Sequence, residues 1–582
     1  MNLVSWAIAS VAQETKFKEK THNGERGHKV NKKVLAVAIA AMLPVAMMSA
    51  ASGADTNPLV PINLVAPAGI PDVAPLPFTA NKSAVFTIPE VMTNLVVTPQ
   101  QGTVAKDLTV SGTGLAANTQ YMLTWGTSEG TWVTDIQPNS INYLGVKYTK
   151  FNVDMGAVTT DAAGAFTFTS KVPSDFGGVH DIYAVKDGAA VAHGGFQMTR
   201  TVSISPKSGP IGTPVTITYT GMGASLYTAG AAVHWDNGYA GEMQALWTRG
   251  TAKVVVRASG EVGDHFVVVK DAITFQYLNI LQSPVPFANG GVGKFTITKG
   301  TPSTKPYMVL PKNYAATVSQ RTTLSDAGLD PNTKAVASLS TDRGHVLTKT
   351  TFSATGLTST GTHQLVWASV VGNRVNCSGT CWAYNSIPLA TVDVTGSSIS
   401  KEVTIPDNLG GWHVIQLKKG DVIEAQASFY VQESMVKFLD KSGKVITEGI
   451  AKADTSGSAA SIAKGGAGTP TYKFKAGETI TISMKGIGWT QLDNTRAVTY
   501  DNNYIGYGCG FNSNGFMVIH ITATGKPGFH TIDLHPLLYT QQPSFANTPY
   551  GMVPILSSDR DFAGLALGYQ LPSVHFMIEV VK

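Results

Sequence analysis

Two short loops hold the residues in this chain best suited to chemistry. Asp236, Asn237 and Tyr239 lie in Trp-Asp-Asn-Gly-Tyr-Ala-Gly, and Asp501, Asn502 and Tyr504 lie in Tyr-Asp-Asn-Asn-Tyr-Ile-Gly. Neighbouring Asp and Asn side chains offer oxygens to Ca²⁺ or hydrogen bonds to sugar hydroxyls, and a Tyr ring can stack on a sugar face. The ligand expected of such loops is a glycan, with Ca²⁺ as the cation they would take and no other cofactor. The competing reading is structural. Asp-Asn-Gly is an ordinary turn sequence, and one carboxylate is too few to build a calcium site unaided.

Four histidines invite a metal reading and then resist it. His180, His265, His413 and His530 each occupy a Gly-x-His step ahead of a β-type run. Units of roughly 100 residues would hold them too far apart to share an ion. Each is expected instead to hydrogen-bond backbone at a strand corner. His530 and His535 are an odd number of residues apart, which puts them on opposite faces of a continuous strand. No metal site is therefore expected. Cys377 and Cys381, spaced C-x3-C, are expected to close a small disulfide in an oxidising compartment, the alternative being a weak metal pair. Cys509 is left over. No G-x-S-x-G elbow, H-E-x-x-H, phosphate loop or dinucleotide fingerprint occurs. No catalytic residue is assigned, and the chain is not expected to be an enzyme.

The loops recur because the chain is duplicated, in the order A–B–A–B. Gly212, Gly221, Trp235-Asp236-Asn237 and His265 return as Gly477, Gly486, Tyr500-Asp501-Asn502 and His530, always 265 positions on. Gly102, Gly114-Leu115, Trp125 and Gly178-Val179-His180 return as Gly344, Gly356-Leu357, Trp367 and Gly411-Trp412-His413. Such a period decides the fold before any single residue does. The boundaries it gives are a leader over 1–54, a Pro-rich spacer over 55–90, A1 over 91–201 and B1 over 202–302. A second spacer follows over 303–330, then A2 over 331–433 and B2 over 434–582, the last with a Gly/Ser/Ala-rich N-terminal insertion.

The leader reads as a secretory signal. Lys29, Lys32 and Lys33 precede an apolar run from Val34 to Met48 that ends in small residues. That run is short of the about 20 residues a spanning helix needs, and export without a membrane span is expected. Residues 1–54 carry seven Lys/Arg against three Glu, which leaves 36 basic and 35 acidic residues beyond them. A nucleic-acid footprint needs clustered positive charge and is not expected.

Within each unit the period is two. Ala165-Phe166-Thr167-Phe168-Thr169 and Val215-Thr216-Ile217-Thr218-Tyr219 alternate apolar and polar residues, as a strand with one buried face does. Short strands between Gly, Pro and Asn turns indicate an all-β chain of four tandem Ig-like β-sandwiches. Trp125, Trp235, Trp367 and Tyr500 would be their core aromatics.

One stretch carries a family likeness. Ser205-Pro206-Lys207-Ser208-Gly209-Pro210-Ile211-Gly212-Thr213-Pro214-Val215-Thr216-Ile217, followed by Gly221-Met222-Gly223, resembles the opening of an IPT/TIG-type Ig-like domain. A1 is similar, with Pro99-Gln100-Gln101-Gly102 and Gly112-Thr113-Gly114. A2 departs, with Ala354 in place of the first Gly, and B2 keeps Gly486-Ile487-Gly488. The resemblance implies fold more than function. The expectation from the whole sequence is an exported, non-catalytic surface protein, structural or adhesive, a component of a surface layer or appendage. Its partners would be copies of itself or other envelope components. The alternative is a secreted glycan-binding protein that uses the B-unit loops.

Overall fold

The computed structural model describes residues 62–66, 81–137, 140–225, 230–271, 281, 289–303, 330–372, 382–433, 437–439, 471–490, 492–539, 552–557, 560–569, 571 and 573–582. The leader, most of both spacers, the B2 insertion and the Cys377/Cys381 pair lie outside them.

Each unit is a sandwich of a three-stranded and a larger antiparallel-rich sheet. In B1 the small sheet runs Thr201–Ser205, Pro214–Thr220, Thr251–Arg257, and the large one runs Ser208–Gly209, Asn289–Ile297, Gly263–Asp271, Gly230–Trp235, Gly238–Gln244. A2 repeats this order, and B2 repeats it with Met552–Pro554 added beside Gly528–Tyr539. In A1 the same two sheets are joined by a parallel pairing of Thr93 with Ala192. The alternation read from sequence is the burial pattern found. Pro214–Thr220 buries Val215, Ile217 and Tyr219 and turns its threonines outward. Among the described residues the helical elements are the 3₁₀ turns Phe511–Ser513 and Ala563–Leu567.

All four units place one aromatic by the same device. The register slips between Leu123/Thr124, Val233/His234, Leu365/Val366 and Val498/Thr499, just ahead of Trp125, Trp235, Trp367 and Tyr500. A bulge re-aims the side chains after it, and each aromatic enters its unit's core.

Parts of the Pro-rich stretch lie along A1. Ile62–Asn63 pairs with Thr134 and Val133, Lys82 bridges Val153, and Thr87 bridges Ala189. A chain held extended by prolines keeps its other amides available for a sheet edge.

Each A unit is docked to the following B unit through bare backbone. Gly177 forms a parallel bridge with Gly223, and Gly410 forms one with Gly488. A Cβ on Gly177 would sit 1.7 Å from the Gly221 carbonyl oxygen, and one on Gly410 would sit 1.7 Å from that of Gly486. Gly250 and Gly515 likewise approach the carbonyls of Asp175 and Asn408, each at 2.6 Å from the Cβ position. The Gly177 N–H donates to Met222 O at 2.8 Å, as the Gly410 N–H does to Ile487 O at 2.8 Å. These backbone contacts are thus made in both copies, while Trp489 adds side-chain packing on Ala368, Leu409 and Val414 at the A2–B2 seam alone.

A further apolar core has no counterpart in the repeat. Leu64 and Trp132 near A1, Leu246 and Trp247 of B1, Trp412 and Tyr430 of A2, and residues from Leu492 to Leu571 of B2 form one buried cluster. All four units contribute to this hub. Trp412 fills the middle of its Gly-x-His step and donates from Nε1 to Leu567 O at 2.9 Å. Val179, its counterpart in A1, is 69% exposed.

Candidate functional site

The turn chemistry of the two B-unit loops decides their backbone first. Asp236 and Asn237 have φ of 49° and 70°, and Asp501 and Asn502 have 49° and 60°. Two successive left-handed residues between paired flanks, Trp235 with Gly238 and Tyr500 with Asn503, make the two-residue hairpin that matches strand twist. Asp and Asn tolerate that region better than other side-chain-bearing residues.

The carboxylates then turn back onto their own units. Asp236 accepts from His265 Nδ1 and, at 2.8 Å, from the Phe266 N–H. Asp501 accepts from His530 Nδ1 at 2.6 Å and from the Thr531 N–H at 2.9 Å. The far nitrogen of each ring faces the carbonyl four residues back, Glu261 at 2.7 Å and Lys526 at 2.9 Å. Each imidazole also stacks beside the core aromatic, His265 on Trp235 at 5.7 Å and His530 tilted against Tyr500 at 5.5 Å. Burial works to lower the pKa of His530. The hydrogen bond and charge of Asp501 more than offset that and leave it raised. In the A units the partners differ. His413 lies between the carbonyls of Ala368 (2.8 Å) and Gly410 (3.1 Å), and burial pushes it down to about 4.

The two hairpins also meet each other. Tyr239 and Tyr504 touch edge to face with ring centroids 6.2 Å apart. A Cβ on Gly238 would collide with Asn503 Oδ1 at 1.9 Å, and Glu261 pairs with Lys526 at 2.5 Å. All three contacts join residues 265 positions apart, so they mark a local two-fold relation between B1 and B2. Equivalent surfaces in contact are the mark of an isologous interface.

Around that contact the seam becomes asymmetric. Asn502 is buried and donates from Nδ2 to Arg257 O and Ser259 Oγ, both at 2.7 Å, whereas Asn237 is exposed. Arg257, fully buried, crosses from B1 to B2. It donates from Nε to Asp533 Oδ1 at 2.9 Å and from Nη2 to Ile532 O at 3.0 Å and Phe576 O at 2.5 Å. His575 Nδ1 completes the group at 2.6 Å from Asp533 Oδ1. Burial drives the Asp533 carboxyl up, but Arg257 and His575 win and hold it below the ordinary range. Tyr239 donates to the buried Glu242 at 3.0 Å, and burial raises the pKa of that carboxyl well above its usual value. At the hub, Asp561 accepts from the N–H groups of Leu246 and Trp247, and burial raises it to about 7.

The sequence candidates are therefore placed as follows. Asp236 and Asp501 pin their own units, Asn502, Tyr239 and Tyr504 lie at the B1–B2 seam, and Asn237 faces solvent. His520 bonds Thr481 Oγ1 at 3.0 Å, while His535 bonds Ser573 Oγ at 3.0 Å. Among the described residues no group of three or more His, Cys, Asp or Glu is arranged to hold a metal, and no helix is long and apolar enough to cross a membrane. Sequence reasoning missed Arg257, Asp533, His575 and the segment 552–571. They fall where the two B units do not correspond, and the only signal for that segment was the extra length of B2.

No protein-family model matches the chain, and no curated protein sequence does. Solved structures give low-identity likenesses. The Escherichia coli adhesin FdeC aligns at 12% identity and TM-score 0.12, over 58% of this chain and 96% of that one. A Corynebacterium diphtheriae protein described as membrane anchored aligns at 11% and 0.15, over 58% and 89%. Red sea bream transglutaminase aligns at 13% and 0.14, over 36% and 32%. Likeness of this extent carries no activity, partner or location across.

Proposed function

We propose that this chain is an exported, non-catalytic cell-surface protein with a structural or adhesive role, built to pack in ordered arrays with copies of itself or with other envelope components. The observation that supports this reading is the fixing of four sandwiches to one another. Two glycine-lined A–B seams, a B1–B2 clasp and a four-unit hub hold the units together, and Tyr239, Asn502 and Tyr504, which sequence marks as chemically able, lie in the clasp. Rigid sandwiches presenting many lateral faces suit repeated weak contacts, which multiply into avidity. A near balance of 36 basic and 35 acidic residues beyond the leader keeps repulsion between copies small.

The test is negative-stain electron microscopy of residues 55–582, with and without Ca²⁺. Sheets or filaments are the expected outcome. Particles that stay dispersed at every concentration, with Ca²⁺ present, would overturn the assembly reading.

A further inference from the structure

A2 holds a cluster of nucleophilic and titratable side chains that A1 lacks. Ser359 lies in the loop that leads into the strand Gly361–Gly372, and His363 is the third residue of that strand. Glu424 is the third residue of Val422–Val431. These two strands flank Gly411–Lys419 in the large sheet. Ser359 Oγ stands 2.8 Å from His363 Nε2 and also donates to Glu424 Oε1, while Glu424 Oε2 lies 3.3 Å from the same ring nitrogen. The other ring nitrogen, Nδ1, faces Gly361 O at 2.8 Å. A carbonyl only accepts, so Nδ1 carries a hydrogen and Nε2 is the nitrogen presented to the hydroxyl.

His363 is fully buried and Glu424 nearly so, whereas Ser359 is half-buried between the exposed Thr358 and Thr360. The base is thus held inside the sandwich and the hydroxyl stands at its surface. Backbone on both sides is tied down. Thr333 Oγ1 donates to Glu424 O at 2.7 Å, and the Asp330 N–H donates to Ile423 O at 2.9 Å. Lys419 Nζ donates to Thr360 O at 2.8 Å, which fixes a cation beside the serine loop.

The fold does not call for this trio. At the equivalent positions A1 has Ala117, Tyr121 and Val191. The Tyr121 hydroxyl accepts from the Ala116 N–H at 3.2 Å, and Val191 packs against the A1 core. Taking an imidazole and a carboxylate out of water is unfavourable unless they are well paired. A1 closes the same end of its sandwich without that burden, so packing alone does not account for its presence in A2.

We propose that Ser359 is a nucleophile activated by His363 and that it accepts an acyl group from a carboxylic ester. The hydroxyl and Nε2 are within the reach that proton transfer needs. Ser359 Oγ attacks the carbonyl carbon of the ester, and its proton passes to His363 Nε2. The bond from that carbon to the alcohol oxygen then breaks, and the alcohol leaves with the proton. Glu424 acts through His363 as a positioning residue, its negative charge facing the imidazolium as it forms. Acylation consumes the serine, so it is a modification of the chain and calls for no turnover. The site goes beyond the assembly reading and does not depend on it.

Incubation of residues 55–582 with p-nitrophenyl acetate, followed by mass spectrometry with peptide mapping, tests it. Ser359 should be acetylated faster than any other serine, with release of p-nitrophenolate. His363→Gln should slow that acetylation about 100-fold or more while leaving the circular dichroism unchanged. Glu424→Gln should move its pH–rate profile toward lower pH, which a purely structural role would not do. Ser359→Ala puts in A2 the residue that A1 already has there, and it should remove the fast phase of p-nitrophenolate release. That arm holds even if the His363 variant misfolds. A wild-type chain whose Ser359 is acetylated no faster than its other exposed serines would overturn the proposal. So would a folded His363→Gln variant that labels Ser359 at the wild-type rate, or a fast phase that survives Ser359→Ala.

Discussion

The two kinds of seam in this protein are built from different materials. The A–B seams share a backbone-to-backbone contact, and each glycine that permits the approach occurs in both copies: Gly177 with Gly410, Gly221 with Gly486, Gly250 with Gly515. The B1–B2 seam depends on particular side chains, several of them bonded to backbone carbonyls of the other unit, and outside its two-fold contact those side chains occur once. Arg257 stands where B2 has Thr522, and Asp533 where B1 has Val268. A seam that precedes duplication appears twice, whereas one that joins the copies to each other need appear only once.

The largest effect expected from breaking this comparison is at Arg257. Arg257→Ala leaves Asp533 buried without its cation, a loss of about 3–5 kcal/mol by analogy with broken buried pairs. Chemical denaturation should show it, and a loss below half that range would mean the clasp contributes little. Gly410→Ala drives a methyl into Gly486 O, and overpacking of this kind costs about 1–3 kcal/mol. Gly177→Ala should cost the same. Unequal losses would break the claim that the A–B seams are copies.

The smallest effect is a titration. His530 should titrate above the ordinary histidine value, and Asp501→Asn should bring it down, as followed by NMR of the ring proton. Its folded pKa is raised, so its contribution to stability is present below the unfolded value and is lost as pH rises through the folded one. His413 runs the other way. Held at about 4 by burial, it costs stability as pH falls from the unfolded value of about 6.5 toward 4. A His530 shift that survives Asp501→Asn would sink the assignment of its cause.

Legibility followed the same division. The recurrences, 265 positions apart in the B units and 242 or 233 apart in the A units, exposed much of what was copied: the aromatics, the Gly-x-His steps, the turn residues and, of the A–B seam glycines, Gly221 with Gly486. Period-two patterning gave the strands, because a half-buried sheet enforces it. The hairpin residues were visible, yet their neighbours were not. Tyr239 meets Tyr504 across residues distant in sequence, and an interface within a chain has no local pattern to announce it. The hub was hidden for a related reason. Trp132, Trp247, Trp412 and Tyr569 come from four separate stretches, and each alone reads as one more apolar residue.

The two-fold contact between the B hairpins carries a historical consequence. Tyr239 meets its own equivalent, as do Gly238 and Glu261, which is how one polypeptide touches an identical neighbour. A forebear half this length, one A and one B, could have met a twin in this way. Tethering twins on one chain replaces a chance encounter in dilute solution with an effective concentration on the order of millimolar. Once that encounter no longer depended on abundance, the two halves could drift apart in sequence without drifting apart in space.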